Sequence, residues 1–281
     1  MNVNLDREQK RASLNGDGRI STENSEPFFK GSLVEICILS YAPYSFSEKH
    51  ALKHELMPFF SETRLGKIGR LMLNPQDSSL SEKHISALEQ SAAAELAICA
   101  AMKNSGRPFA PSDYAYKESG QPTIQNGHIS ISHTEGYAAC AIAREPVGID
   151  VERGHTFSKA AAKRILSPQE ELMSDSTNAN ELLSRIWTVK ESFLKMTGEG
   201  IPGGMRTLEL IAAGDGSSGK WIIKRGTKPE AGCAVLLSIS GSGNSADFND
   251  AYLSVCTKKK AMMHINRFES VESILEFLNE P

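Results

Sequence analysis

The chain has no apolar run near the ~20 residues that a membrane-spanning helix requires. Residues 1–30 are polar and lack the apolar core of a signal peptide, so neither secretion nor membrane insertion is expected. Cysteine is sparse and scattered, at Cys37, Cys99, Cys140, Cys233 and Cys256. The number is odd and no two form a C-x-x-C pair. That excludes a zinc ribbon or a disulfide framework and predicts reduced thiols in a cytoplasmic protein. Neither sign of charge dominates, with 31 basic and 34 acidic side chains in 281 residues. A general nucleic-acid binder would carry a basic excess, although a small basic site for a phosphate is compatible with this balance. Aromatic residues are few, at 7%, yet 40% of the chain is hydrophobic. That is enough for a buried core, and the length suits one large domain or two ordinary ones.

Residues 1–30 carry mixed charge with no sustained apolar period and read as a disordered tail. From Leu33 to Leu39 the chain reads as a strand. Ser79-Leu80-Ser81-Glu82 has the pattern of a capping box and predicts a helix to about Lys103, with Ile85, Leu88, Ala92, Leu96 and Cys99 as its inner stripe. Two strands, Ile129 to His133 and Tyr137 to Ile142, flank the turn Thr134-Glu135-Gly136. A third, Val147 to Glu152, follows the break at Pro146. A helix is expected from Ser158 to Leu166, and Ser167-Pro168-Gln169-Glu170 is a second strong helix start. A longer helix is expected from about Asn180 to Met196, stopped by Gly198. Strands with Gly/Ser-rich hairpins fill Leu208 to Thr257, and Ser270 to Leu278 reads as a last amphipathic helix. The reading is α+β: a lobe over 31–146 and a second over 147–281, each an antiparallel sheet packed with a long helix.

Three patterns resemble motifs but lack their chemistry. Asn15 to Ser21 looks like the middle of an EF-hand loop, yet Ser13 and Asn24 stand where its first carboxylate and final glutamate belong. Gly198 to Gly203 spells G-x-G-x-x-G but follows a helix instead of a strand. Gly214 to Lys220 approaches a phosphate-binding loop but continues into Trp221 and a strand, so a hairpin tip is expected. Ser132 and His133 are neighbours on a strand and face opposite ways, which argues against a nucleophile and its base.

Two other segments are more informative. In Val147-Gly148-Ile149-Asp150-Val151-Glu152, strand alternation sets Asp150 and Glu152 on one face. Adjacent carboxylates repel, and a hard cation such as Mg²⁺ between them removes that repulsion; an exposed strand face is the plainer alternative. In Trp187-Thr188-Val189-Lys190-Glu191-Ser192-Phe193-Leu194-Lys195, helical spacing puts Trp187, Glu191 and Lys195 on one stripe. Leu182, Leu183, Ile186, Val189 and Phe193 form the packed face. Glu191 with Lys195 is either a surface ion pair or a third carboxylate with a phosphate-binding cation, and Lys190 is a second candidate cation.

Taken together, G-I-D-V-E followed by W-T-V-K-E-S-F-L-K resembles the 4′-phosphopantetheinyl transferases, in particular their larger, surfactin-synthetase-activating type, in which two similar lobes lie in one chain as a pseudo-dimer. Gly120-Gln121-Pro122, Ile131-Ser132-His133-Thr134 and the stretch from Ser158 to Glu170 match further blocks in the same order. The resemblance implies transfer of phosphopantetheine from coenzyme A to a serine of an apo acyl or peptidyl carrier protein, in secondary metabolism, by a monomer. It implies that Asp150, Glu152 and Glu191 hold Mg²⁺, for which Mn²⁺ could substitute, and that Glu191 is the base. Lys190 and Lys195 would contact the phosphates. Ser132 and His133, with Arg64 and Lys67 of Ser61-Glu62-Thr63-Arg64-Leu65-Gly66-Lys67, would contact the nucleotide. Two departures remove positive charge: Gln121 replaces a family Lys and Gln90 a family Arg, with Lys117 or Lys83 available to compensate. A catalytically silent coenzyme A sensor and a Mg²⁺-dependent phosphohydrolase are the competing readings.

Overall fold

The computed structural model describes residues 33–42, 45–46, 53–60, 65–66, 81–106, 114–118, 120–154, 156–171, 179–201, 204–213, 219–239 and 251–280. The segment 1–30, the EF-hand-like stretch, Arg64 and Lys67 lie outside them.

Alternation sets the first sheet. In β1 (Leu33–Ser40) the side chains of Ile36 and Ile38 enter one hydrophobic cluster, and those of Cys37 and Leu39 enter another on the opposite face. β4 (His128–Thr134) and β5 (Tyr137–Ala143) form a hairpin whose turn is closed by Gly136 at φ 81°. β5 pairs antiparallel with β1. The fourth strand is the unexpected one. β11 (Met262–Phe268) lies parallel to β1, giving the order β11-β1-β5-β4. The expectation of a wholly antiparallel sheet is corrected at this edge. A parallel partner requires a crossover instead of a turn, so no local sequence signal marks it.

The second sheet, in the order β6-β10-β9-β8-β7, is antiparallel throughout. It is built from β6 (Val147–Arg153), β7 (Leu208–Ala212), β8 (Lys220–Arg225), β9 (Lys228–Ile239) and β10 (Ala251–Thr257). β7 and β8 pair antiparallel, with Ala212 opposite Trp221; the phosphate-loop-like residues 214–218 between them lie outside the described residues. β2 (Tyr114–Tyr116) and β3 (Pro122–Ile124) make a small separate hairpin.

Helices cover these sheets. After the single turn α1 (Lys53–Leu56), the long α2 (Glu82–Asn104) starts at Ser81, not Ser79; the Ser81 hydroxyl accepts from the His84 amide. α3 (Lys159–Ile165) is capped by Ser158. α4 (Pro168–Glu171) is opened by a reciprocal exchange in which Ser167 N donates to Glu170 and Glu170 N to the Ser167 hydroxyl. α5 (Ala179–Thr197) ends at Gly198, whose φ of 75° few other residues adopt. α6 (Val271–Asn279) begins with a capping box at Ser270 and Ser273. None of the described helices is long and apolar enough to cross a membrane.

Three hydrophobic clusters stack in layers. One joins α2 and α6 to the first sheet through Leu96, Ile98, Cys140, Ile142 and Ile274. A second lies between the two sheets and includes Val34, Ile36, Tyr137, Ile149, Val151 and Leu253. The third joins the second sheet to α5 through Val189, Phe193, Leu236, Tyr252 and Cys256. The five cysteines are all buried and none is in a disulfide. The result is a mixed α/β fold in which β4 and β6, the edge strands of the two sheets, pack against each other.

Candidate active site

Asp150 and Glu152 occupy alternate positions on β6, on the same side as Gly148. Gly148 fixes how near α5 can come to them. A Cβ there would lie 1.8 Å from the Ser192 carbonyl oxygen and 2.5 Å from the Met196 amide nitrogen. Without a side chain at 148, the helix settles directly on the strand. Ser192 and Ser254 hydroxyls share a hydrogen bond of 2.8 Å in the same buried layer. Glu191 and Lys195, one turn apart on α5, are thereby brought beside Asp150. Lys195 Nζ donates to Asp150 Oδ1 at 2.8 Å.

Asp150 is 4% exposed and Glu191 9%. Asp150 Oδ2 and Glu191 Oε1 are buried and hydrogen-bonded to nothing. Burial pushes the Glu191 carboxyl up to about 7; the Asp150 charge adds to this, Lys195 opposes it and Glu152 adds a little more. Unpaired carboxylate oxygens at this depth are costly, and a hard divalent cation is the partner that satisfies them. The donor set therefore fits such an ion. Among the described residues, no three His, Cys, Asp or Glu side chains stand close enough to form a ready-made metal cage.

The site borders a cleft of about 420 Å³ lined by Gln121, Pro122, Ser130, Glu191, Lys195 and Glu199, among others. Gln121 bridges two walls. Its Oε1 accepts from Lys117 Nζ at 2.9 Å and its Nε2 donates to the Lys195 carbonyl at 3.4 Å. On the rim, Arg225 Nη1 grips both oxygens of Glu199, at 2.7 and 2.6 Å, and the guanidinium lies 5.1 Å from the Phe193 ring centre.

Several residues that the sequence offers as candidates part company here. Asp150, Glu191 and Lys195 are together, and Glu152 is near enough for its charge to act on Glu191. Ser132 faces them, donating to Asp150 Oδ1 at 2.8 Å. His133 faces the other way, as strand alternation requires. It is exposed, with Nδ1 3.1 Å from Gln90 Oε1. Lys190 is a correction. It is wholly buried on the far side of α5 and donates to the Ile165 carbonyl at 2.8 Å and to Glu170 at 2.5 Å, so it faces no phosphate. The signal was available: Ile186, Lys190, Phe193 and Leu194 share one apolar stripe at helical spacing. Glu170 is the partner of Lys190, and the Thr134 hydroxyl donates to Glu152 Oε1 at 3.3 Å. No local pattern marks either contact.

Comparison with known proteins agrees with the resemblance read from the motifs. Residues 146–255 match the family model described as the 4′-phosphopantetheinyl transferase superfamily. The 4′-phosphopantetheinyl transferase Sfp of Bacillus subtilis (strain 168) is 34% identical over 83 residues, which are 28% of this chain and 37% of that protein. The 4′-phosphopantetheinyl transferase psf-1 of Bacillus pumilus is 29% identical over 167 residues, 57% of this chain and 66% of that one. The 4′-phosphopantetheinyl transferase gsp of Aneurinibacillus migulanus is 34% identical over 88 residues, 30% and 37% of the two chains. The chain thus spans a little over a third of the length of Sfp and gsp and just under two thirds of psf-1. The stretch that carries Asp150, Glu152, Glu191 and Lys195 carries the signature of the 4′-phosphopantetheinyl transferase superfamily.

Proposed function

We propose that this protein transfers 4′-phosphopantetheine from coenzyme A to a serine hydroxyl of an apo acyl or peptidyl carrier protein. The observation that carries the reading is the meeting of Asp150, Glu191 and Lys195 beside a cleft, with two buried carboxylate oxygens unsatisfied. Asp150, Glu152 and Glu191 would hold Mg²⁺, or Mn²⁺ in its place, which when bound neutralises pyrophosphate charge. Lys195 stands on Asp150 with ammonium hydrogens to spare for a phosphate oxygen of coenzyme A. Glu191 is the carboxylate we assign as the base that removes the serine proton; a bound cation would lower its pKa and keep it ionised for that role. The serine oxygen bonds to the β-phosphorus as the bond from that phosphorus to the bridging oxygen breaks. The electron pair leaves with 3′,5′-ADP, whose charge Lys195 stabilises. Such chemistry depends mainly on positioning and charge neutralisation. Lys117, held by Gln121, and His133, held by Gln90, are the described side chains we place toward the nucleotide, with Ser132 acting behind Asp150. In this reading the chain is a cytoplasmic monomer of two similar lobes, each with one long helix, α2 or α5, on an antiparallel core.

The test is to incubate the protein with apo carrier protein, coenzyme A and Mg²⁺ and to weigh the carrier. A phosphopantetheine mass gain is expected. Coenzyme A binding without mass gain would favour a silent sensor. Phosphate release without carrier would favour a phosphohydrolase.

A further inference from the structure

Three hydroxyls stand at alternate positions on β4, and each meets β6. Ser130 Oγ accepts from the Ile149 amide at 3.0 Å, Ser132 Oγ donates to Asp150 Oδ1 at 2.8 Å, and Thr134 Oγ1 donates to Glu152 Oε1 at 3.3 Å. Ser130 and Ser132 are 4% and 6% exposed, so the contacts are shielded from water. β4 and β6 edge different sheets. One strand of the first sheet therefore supplies hydroxyl donors to both carboxylates on the edge of the second.

Which oxygens are taken matters. Ser132 and Lys195 both donate to Asp150 Oδ1, and Oδ2 is left buried without a partner. A carboxylate held by one oxygen has a fixed rotamer and presents the other. Groups behind metal-binding carboxylates act in this way, orienting them and sharpening their affinity. A hydroxyl does so without adding charge, so it does not compete with a cation as a second lysine would.

We propose that Ser132 and Thr134 are positioning residues, which hold the Asp150 and Glu152 carboxylates in the orientation that receives a divalent cation. This rests on the cation reading given under the proposed function. It adds that the first sheet, through β4, tunes a site whose charged groups all lie on β6 and α5. The rival role for these hydroxyls is to glue the two sheets together.

The test uses Mn²⁺ alone as probe, with the free-ion signal read by electron paramagnetic resonance on the full chain. Wild type, S132A, T134V and T134S are compared, each also melted in EDTA. T134V keeps the shape of Thr134 and removes its hydroxyl at a half-buried position, so the test stands even if S132A folds poorly. S132A and T134V are each expected to weaken Mn²⁺ binding roughly tenfold. T134S is expected to restore wild-type affinity, and transfer by S132A and T134V should recover at saturating Mn²⁺. Wild-type Mn²⁺ affinity in both S132A and T134V, with melting temperature alone reduced, would make the hydroxyls glue and overturn the proposal. A wild-type protein that binds no Mn²⁺ would overturn the cation reading and this proposal together.

Discussion

Replacing Lys190 by methionine separates a structural lysine from a substrate-binding one. The ammonium is fully buried and donates to the Ile165 carbonyl and to Glu170. Burial holds its pKa below the usual lysine range, and Glu170 works against that fall. Methionine fills the same volume but leaves Glu170, 5% exposed, without a counter-charge. Breaking one side of a buried pair costs about 3–5 kcal/mol. Glu170 keeps two backbone donors, Ser167 N at 2.8 Å and Leu210 N at 3.1 Å, so the low end applies. A loss of about 3 kcal/mol lowers the melting temperature by roughly 10 °C in a domain of this size. Adding Glu170→Gln removes the stranded charge but leaves an oxygen for only one of the two backbone donors, so the double variant should regain part of the loss and not all of it. Thermal and urea unfolding measure this, and the apparent KM for coenzyme A is measured alongside below the melting point. That KM should not move. A K190M protein of wild-type stability with a raised KM for coenzyme A would refute the reasoning and return Lys190 to the phosphates.

Glu191→Gln tests the raised carboxyl. A folded-state pKa of about 7 against an ordinary 4.5 gives a contribution complete below about pH 4.5 and lost as pH rises through about 7. In EDTA, wild type should lose about 2 kcal/mol between pH 5 and 8, allowing for the solvent that still reaches the group, and the variant should not; parallel pH profiles would contradict this. Lys117→Ala should weaken coenzyme A binding about two- to fivefold at low salt, as exposed ion pairs do, and less at high salt. Gln121→Lys should give little gain, since it removes the acceptor that holds Lys117 and sets two like charges together; a large gain in titration calorimetry would count against that geometry. On α3, which follows β6 in sequence, Lys163 and Arg164 are exposed. Lys163→Glu with Arg164→Glu should raise the KM for an acidic carrier, leave that for coenzyme A unchanged and flatten the salt dependence of kcat/KM; a parallel rise in both KM values would dismiss the docking role.

What could be read from the chain itself was whatever rests on short spacing. Asp150 and Glu152 two apart on a strand, and Glu191 and Lys195 four apart on a helix, belong to elements whose periods dictate their faces. The cap at Ser167 announced α4 because a cap is a contact within four residues, and amphipathic spacing announced α6. The contacts that refine the site reach further. Ser132 meets Asp150 across 18 residues and Lys190 meets Glu170 across 20. Nothing in the spacing of either pair selects the partner, although the apolar stripe that holds Lys190 marks that side chain as buried. Gly148 was visible as a glycine in a strand, but the helix that presses on it was not.

The parallel partnership of β1 with β11 bears on how the chain is made. Glu35 and His264, joined across these strands, are 229 residues apart in sequence. Contacts of such separation slow folding, because a long loop must close before they form. At about 5–20 residues per second, a ribosome needs on the order of tens of seconds after finishing β1 to supply β11. Once β4 and β5 have been made they can pair with β1, but until β11 follows the outer edge of β1 has no strand to cover it. An uncovered edge invites pairing with other chains, so the nascent first sheet is the stage at which a chaperone would matter most. Closing that sheet must wait for β11, after the carboxylates of β6 and α5 have already been synthesised.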